Sequence, residues 1–107
     1  LQVRGDRPFA TGARDYRVIP TATATNDIVM SHISTNFDRS AFQLDLNVVF
    51  PIDRLHELAA AGQVGSVAAF HYSFMGATDP VLWEETARYI AGLLKQDRVD
   101  AALLVPV

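Results

Sequence analysis

The chain has 107 residues, a formal net charge of −3, no cysteine and half of its residues hydrophobic. This length and composition support one small domain with a hydrophobic core and exclude a disordered chain. The composition also excludes a basic nucleic-acid surface, a membrane span, a disulfide framework and a thiolate metal site. We therefore expect a cytoplasmic domain over residues 1–107, with no nucleic-acid or membrane partner.

The first part of the chain predicts an irregular arm followed by two short strands. Charged residues, glycines and a proline fill Leu1–Asp15, so no regular structure is expected there. Tyr16–Pro20 alternates and contains β-branched residues, which predicts a strand that pairs antiparallel or lies at a sheet edge. Thr21–Asp27 is too short for a helical crossover, and Ile28 begins a second strand that runs to about Ser34.

A polar loop and a short helix come next. Thr35–Asn47 follows a strand and is rich in polar residues, as binding loops are. Pro51 suits the first turn of a helix, and Asp53 suits the positive end of the helix dipole. Apolar residues on one face predict a helix near Ile52–Ala61, ended by Gly62.

The last part of the chain predicts a strand, a long helix and a final strand. Aromatic side chains alternate with smaller or polar ones near the end of Gly65–Phe74, which predicts a strand, and a short loop follows it. Asp79 and then Pro80 form a strong helix start, and the helix should run to about Lys95. In Val99–Val107 the last seven residues are six aliphatic side chains and a proline, which predicts a central strand of a parallel sheet.

These elements predict an α/β fold with the order β-β-α-β-α-β. Right-handed crossovers would place the last three strands in one small, mostly parallel sheet with flanking helices, a Rossmann-like fragment. Ligands of such sheets bind beyond the carboxyl ends of the strands. The polar side chains that follow the strands are therefore the predicted substrate-binding residues: His32, Asn36, Asp38, Arg39, His71, Tyr72, Ser73, Met75 and Gly76.

Each of these residues also has a purely structural interpretation. His32 and His71 lack close carboxylate or thiolate partners, which favours structural histidines over metal ligands, so no metal site is predicted. Arg39 could clamp a carboxylate through its guanidinium fork, or form a local pair with Asp38. Tyr72 suits the core better than catalysis. These residues do not complete a catalytic nucleophile, a metal site or a phosphate-binding loop. From the residues alone, we therefore predict a domain that binds a small ligand.

Several segments, taken in order, resemble the selenoprotein B component of glycine, sarcosine and betaine reductases. The longest is Asn47–Leu58, with the sequence NVVFPIDRLHEL. The ordered series covers most of the chain from about Gly5. The other matching segments are Met30–His32, Gly62, Val64–Ser66, His71–Gly76, Ile90–Lys95 and Val99–Val107.

The resemblance implies the substrate-binding component of a selenol- or thiol-dependent reductase that cleaves a small amine-type substrate. In that family a selenocysteine or cysteine follows the strand that matches Ala101–Val107. We therefore expect the nucleophile immediately after Val107, and no catalytic residue within this chain. The chain would then be a fragment of a longer reductase-like domain, truncated at a selenocysteine codon and inactive as it stands.

The expected partners are a small-molecule substrate and other components of a reductase complex, and no cofactor is predicted. An unfinished sheet would expose apolar surface, which association usually covers, so a homo-oligomer is expected. The alternative interpretation is a non-catalytic domain that binds a small ligand or another protein. A reactive selenol or thiol next to the chain would favour the reductase, and ligand binding without turnover would favour the alternative.

Overall fold

A computed structural model describes all 107 residues and contains four short strands and three α-helices. The strands are β1 (Gln2–Val3), β2 (Tyr16–Pro20), β3 (Ile28–Val29) and β4 (Phe70–Phe74). The helices are α1 (Ser40–Leu44), α2 (Ile52–Ala60) and α3 (Pro80–Gln96), with 3₁₀ turns at Thr25–Asp27 and Leu46–Val48.

The strands form two separate antiparallel pairs. β1 pairs with β3, and β2 pairs with β4 in a register that sets Tyr16 opposite Phe74 and Pro20 opposite Phe70. The α/β prediction holds in that the chain combines helices and strands, but the mostly parallel sheet in the order β-β-α-β-α-β, the Rossmann-like fragment, is wrong. The prediction assumed that strands joined by a helix pair with each other, whereas β4 pairs with the early strand β2.

Thr21 fixes the start of the β2–β4 pair. Its backbone N–H donates to the carbonyl oxygen of Ala69 at 2.9 Å, and its hydroxyl donates to the carbonyl oxygen of Ala68. Farther along the pair, the rings of Tyr16 and Tyr72 meet edge to face with centroids 5.8 Å apart. Long-range contacts of this kind decide strand pairing, and a local hydrophobic pattern does not contain them.

The final apolar segment is not a strand. Ala101–Val107 is exposed along its whole length, and no backbone hydrogen bond involves residues 100–107. The prediction of a buried central strand at Val99–Val107 is therefore wrong. The chain leaves α3 through Arg98, which has a φ of 56°, and the one hydrogen-bonded neighbour of β4 is β2. A strand exists only through hydrogen bonds to a neighbouring strand, so this apolar segment without one remains unpaired.

The two longer helices confirm the sequence prediction. α2 begins after Pro51, carries Asp53 in its first turn, and is followed by Gly62 in the left-handed conformation at φ 72°. α3 begins at Pro80, and the Asp79 carboxylate accepts a hydrogen bond from the N–H of Val81 at 3.0 Å. These signals act within one turn of the helix, which is why the sequence alone predicts them.

Shorter elements differ from the prediction. The arm is not wholly irregular, because its residues Gln2–Val3 pair with β3, and β3 covers only Ile28–Val29. The polar loop contains α1, and β4 begins at Phe70 instead of Gly65. A two-residue strand exists only through its partner, so neither β1 nor the short length of β3 is visible in a hydrophobic pattern.

The core is small and lies in the first half of the chain. Its apolar members are Phe9, Ile19, Ile28 and Val49, and Ile19 is only 1% exposed. The opposite face of the β2–β4 pair meets α3, where the ring centroids of Phe74 and Trp83 are 5.1 Å apart. No helix in the structure combines the length and apolar character that a bilayer crossing requires.

Candidate functional site

Arg39 organises the polar loop that follows β3. Its Nη2 donates to the carbonyl oxygens of His32 at 3.0 Å and Ser34 at 3.2 Å, and its Nη1 donates to the carbonyl oxygen of Phe37 at 3.3 Å. A guanidinium has five N–H groups, and these contacts engage both of its terminal nitrogens. Arg39 therefore holds the loop in one shape, which reduces its capacity to clamp a ligand carboxylate.

His32 leaves one ring nitrogen without a hydrogen-bond partner. The ring stacks on Phe37 with centroids 4.2 Å apart and planes 18° apart. Its Nδ1 accepts a hydrogen bond from the backbone N–H of Ser34 at 3.2 Å. A neutral imidazole with an accepting Nδ1 carries its proton on Nε2, so the Nε2–H group of His32 is the donor left for a ligand.

Asp38 and Asn36 shape the turn before α1. The carboxylate of Asp38 accepts hydrogen bonds from the backbone N–H of Ser40 at 2.8 Å and from its hydroxyl at 2.7 Å, and these bonds lower the pKa of Asp38. The backbone N–H of Asn36 donates to the Ser34 hydroxyl at 3.2 Å. Asp38 and Arg39 form no ion pair with each other, because each side chain bonds to a different part of the loop.

His71 is held in one tautomer by Thr21. The His71 Nε2 lies 2.9 Å from the Thr21 hydroxyl, whose single proton goes to the carbonyl of Ala68. Nε2 must therefore donate to that hydroxyl, and Nδ1 is left as a free acceptor. Burial, and then the charge of nearby His56, lower the pKa of His71 below its usual 6.5. At neutral pH the ring is uncharged and can accept a proton at Nδ1.

Tyr72 and Ser73 point to opposite faces of β4, because side chains alternate along a strand. Tyr72 packs against Tyr16, and burial raises the pKa of its phenol. Ser73 lies on the same face as His71, and its hydroxyl accepts a hydrogen bond from the Leu1 amino nitrogen at 3.0 Å. Tyr72 therefore cannot act on the same ligand atom as His71 from its present position.

Met75 and Gly76 border a cleft of about 250 Å³ at the end of β4. The indole N–H of Trp83 at this cleft is buried and has no hydrogen-bond partner. A buried donor without a partner is costly, so an acceptor group of a ligand would be favourable beside it. The remaining lining residues are Phe74, Thr78 and Pro80.

The nine predicted site residues fall into separate groups. His32, Asn36, Asp38 and Arg39 belong to the loop, while His71 and Ser73 share one face of β4, and Met75 and Gly76 line the cleft beyond it. No side-chain hydrogen bond, ion pair or aromatic contact joins the loop group to the β4 group. The parallel strands whose carboxyl ends were predicted to bind the ligand together do not form, and the final segment that would supply one of them is exposed. That both groups contact one ligand remains a prediction.

Thr21, Ser31 and Trp83 are not among the site residues predicted from the sequence. Thr21 sets the tautomer of His71, and the Ser31 hydroxyl next to His32 is buried without a partner. Their roles depend on long-range neighbours, so no local pattern marks them. A second cleft of about 330 Å³ was also not predicted, and it is lined by Arg14, Asp15, Tyr16, Glu85, Thr86 and Tyr89.

The structure contains no group of side chains arranged to bind a metal ion. No group of three or more histidine, aspartate or glutamate side chains lies close enough to share an ion. The carboxylates that form ion pairs bond to arginines, mostly at the surface, as in the contact of Arg54 with Glu57 at 2.7 Å. The predicted site residues can therefore hydrogen-bond to a ligand and form the surface that it contacts, and His71 can accept a proton.

Comparison with known proteins supplies the family context for this site. Residues 9–107 match the family described as glycine/sarcosine/betaine reductase selenoprotein B. The chain is 35% identical, over 97% of its length, to D-proline reductase subunit gamma from Acetoanaerobium sticklandii, and it spans 43% of that protein. No solved structure matches the chain. The match over residues 9–107 confirms the resemblance that the ordered segments indicate.

Proposed function

The chain belongs to the glycine/sarcosine/betaine reductase selenoprotein B family, and from this membership we propose that it forms the substrate-binding part of a selenol- or thiol-dependent reductase. The reaction would be the reductive cleavage of a small amine-type substrate. The observation that carries the proposal is the family match over residues 9–107. The relative at 35% identity is by name a reductase subunit, which supports a role within a complex of several components.

The nucleophile of this reaction would come from outside these residues. The chain contains no cysteine and therefore no thiol that could act as the nucleophile. A selenolate or thiolate placed next to Val107 would attack the substrate carbon and displace the amine, so that the carbon–nitrogen bond breaks as the carbon–selenium or carbon–sulfur bond forms. Other components of the complex would then supply the two electrons and the proton that release the substrate carbon from selenium or sulfur. As it stands, the 107-residue chain would therefore be inactive in this chemistry.

Two ring nitrogens support a binding role for the present residues. The Nε2–H of His32 is a free donor, and the Nδ1 of His71 is a free acceptor. A small substrate with a carboxylate and an amine offers an acceptor and donors that complement these two groups. The proposed substrate-binding residues are His32, Asn36, Asp38, Arg39, His71, Tyr72, Ser73, Met75 and Gly76.

Alkylation tests the reductase proposal. The chain extended by its downstream coding segment, with cysteine in place of any selenocysteine, should react with iodoacetamide at pH 6, well below the ordinary thiol pKa of about 8.5. The same protein unfolded in urea is the control and should react slowly at that pH. Equal slow labelling of the folded and unfolded protein would contradict an activated nucleophile.

The coding sequence provides an independent test. An in-frame UGA codon after the codon for Val107, followed by an open frame that encodes a cysteine, is the expected result. An ordinary stop codon with no such frame behind it would leave the proposed reductase without a nucleophile.

The second candidate is a domain that binds a small ligand without turnover, which the absence of cysteine within these residues favours. A small carboxylate such as glycine or acetate should then raise the melting temperature of the chain. Arg39→Ala should abolish this shift by releasing the loop, whereas Arg54→Ala, which removes only a surface ion pair, should preserve it. No shift with either ligand would count against this candidate.

The isolated chain is also proposed to form a homo-oligomer. Many of its large apolar side chains are exposed, among them Leu103, Leu104 and Val107. Exposed apolar surface of this kind usually associates, and the open edge of β4 could pair with another copy. Light scattering at micromolar concentration should report a dimer or larger species, and a monomer would contradict this part of the proposal.

A further inference from the structure

The chain exposes more surface than a complete folded protein of its mass. Its solvent-accessible surface is 7447 Å² for a mass of 11.7 kDa. A folded monomer of this mass exposes about 5,900 Å². The radius of gyration is 14.3 Å, against about 13 Å for a compact domain of this length. The excess surface, about 1,500 Å², is nearly twice what one partner contributes to a standard interface.

This excess is concentrated in the second half of the chain. All five buried residues lie between Gln2 and Val49, so Pro51–Val107 contains none. Of the fourteen exposed large hydrophobic residues, ten lie in Pro51–Val107. An amphipathic helix ordinarily buries its apolar stripe, but neither α2 nor α3 has a buried residue. The second half therefore presents apolar surface that nothing in the described chain covers.

Two features suit this surface to binding another segment of polypeptide. β4 has a hydrogen-bonded neighbour on one edge only, so its other edge offers free N–H and C=O groups. Ala101–Val107 has no charged side chain, is exposed and makes no backbone hydrogen bond. Open strand edges next to apolar side chains are recognised by added strands, whose main-chain bonds and side-chain contacts provide affinity. We call β4, α3 and Ala101–Val107 together the C-terminal apolar surface.

We propose that the C-terminal apolar surface is the docking face for the polypeptide that corresponds to the unmatched part of D-proline reductase subunit gamma. The chain matches only 43% of that protein, so more than half of a relative of this family consists of additional polypeptide. An uncovered area of roughly 1,500 Å² matches the loss of one layer of a domain core better than a standard interface between copies. The proposal rests on family membership and not on the proposed redox chemistry.

Hydrogen exchange tests this proposal. We would compare the isolated chain, diluted until it is monomeric, with a chimera in which it replaces the matched part of the A. sticklandii subunit. The amides of Ala101–Val107, Pro106 excepted, should exchange at least about tenfold more slowly in the chimera. The intact A. sticklandii subunit provides a second measurement, since its aligned residues should be protected even if the chimera does not fold.

A pair of substitutions separates docking from ordinary exposure. Leu104 is 77% exposed and Leu44 is 90% exposed, so Leu→Gln at either position should leave the melting temperature of the isolated chain unchanged when it is diluted until it is monomeric. In the chimera, Leu104→Gln should lower the melting temperature by several degrees because the side chain is then buried. Leu44→Gln is the matched control in the first half and should be neutral in both proteins.

Three results would overturn the proposal. Exchange of Ala101–Val107 that is equally fast in the chimera and in the intact relative would show that no segment covers it. Protection that appears in the isolated chain with rising concentration, and does not increase in the chimera, would assign the surface to a second copy. Equal effects of Leu104→Gln and Leu44→Gln in the chimera would also contradict it. None of these results depends on alkylation, so failure of the reductase proposal remains distinguishable.

Discussion

At the scale of single residues, the candidate site is defined by which hydrogen bonds each polar side chain has already made. Arg39 uses both terminal nitrogens on backbone carbonyls, and the Thr21 hydroxyl fixes His71 with Nε2 protonated. These contacts leave the Nε2 of His32 and the Nδ1 of His71 as unused groups. Residues that hold other residues in place are therefore as important to this site as those that face a ligand.

Arg39 should contribute to stability as well as to binding. Arg39→Ala removes hydrogen bonds to the carbonyls of His32, Ser34 and Phe37, so we expect it to lower the free energy of unfolding by about 1–2 kcal/mol. Arg54→Ala, which removes an exposed ion pair with Glu57, should cost less than about 0.5 kcal/mol. Urea denaturation followed by circular dichroism measures both, and equal losses would show that the loop contacts are not stabilising.

His71 should make stability depend on pH. Burial lowers its pKa in the folded chain below the usual 6.5, so the unfolded chain binds this proton more readily. The free energy of unfolding should therefore decrease as the pH falls below 6.5 and level off below the lowered folded-state pKa. Urea denaturation between pH 5 and pH 8 measures this decrease. His71→Gln should remove it, and an unchanged profile in that variant would assign the decrease to other groups.

At the scale of elements, the two longer helices are specified locally and the partners of the strands are not. α3 begins where Asp79 and Pro80 predict it, because the capping carboxylate and the missing proline N–H act within one turn. β2 and β4 find each other across about fifty residues of chain through pairs such as Tyr16 with Phe74. The parallel prediction failed at this step, since neither strand carries a signal for its partner.

The cap of α3 offers a local test. Asp79→Ala removes the carboxylate that accepts from the N–H of Val81 at 3.0 Å, and should lower the free energy of unfolding by about 1 kcal/mol. Asp79→Asn keeps an oxygen acceptor and should retain most of the stability. Thermal unfolding followed at 222 nm compares the two variants, and an identical loss in both would indicate that the charge rather than the hydrogen bond matters.

At the scale of the whole molecule, the first half holds the core and the second half holds the uncovered surface. The buried side chains Phe9, Ile19, Ile28 and Val49 bring the arm, β2 and β3 together. A core of four apolar residues stabilises a domain of this size only weakly. Stability of the isolated chain should therefore depend on these few positions more strongly than on the many apolar residues after Pro51.

Ile19 is the position that best tests this dependence. Ile19→Val removes one methylene from the most buried side chain and should cost about 1 kcal/mol of unfolding free energy. Val18→Ala changes the neighbouring, partly exposed side chain of the same strand and should cost less. Denaturant titration of both variants decides the matter, and a larger loss at Val18 would place the core on the other face of β2.

Local chemistry in the sequence determined where α2 and α3 start and end, the strand Tyr16–Pro20 and, through its ordered segments, the family. These features depend on neighbours within a few residues, or on the order of whole segments. Only the tertiary structure decided that the sheets are antiparallel, that Ala101–Val107 is exposed, and that Thr21 orients His71. Strand partners and side-chain contacts between distant residues depend on how the chain folds back on itself, and hydrophobic periodicity carries no information about that path.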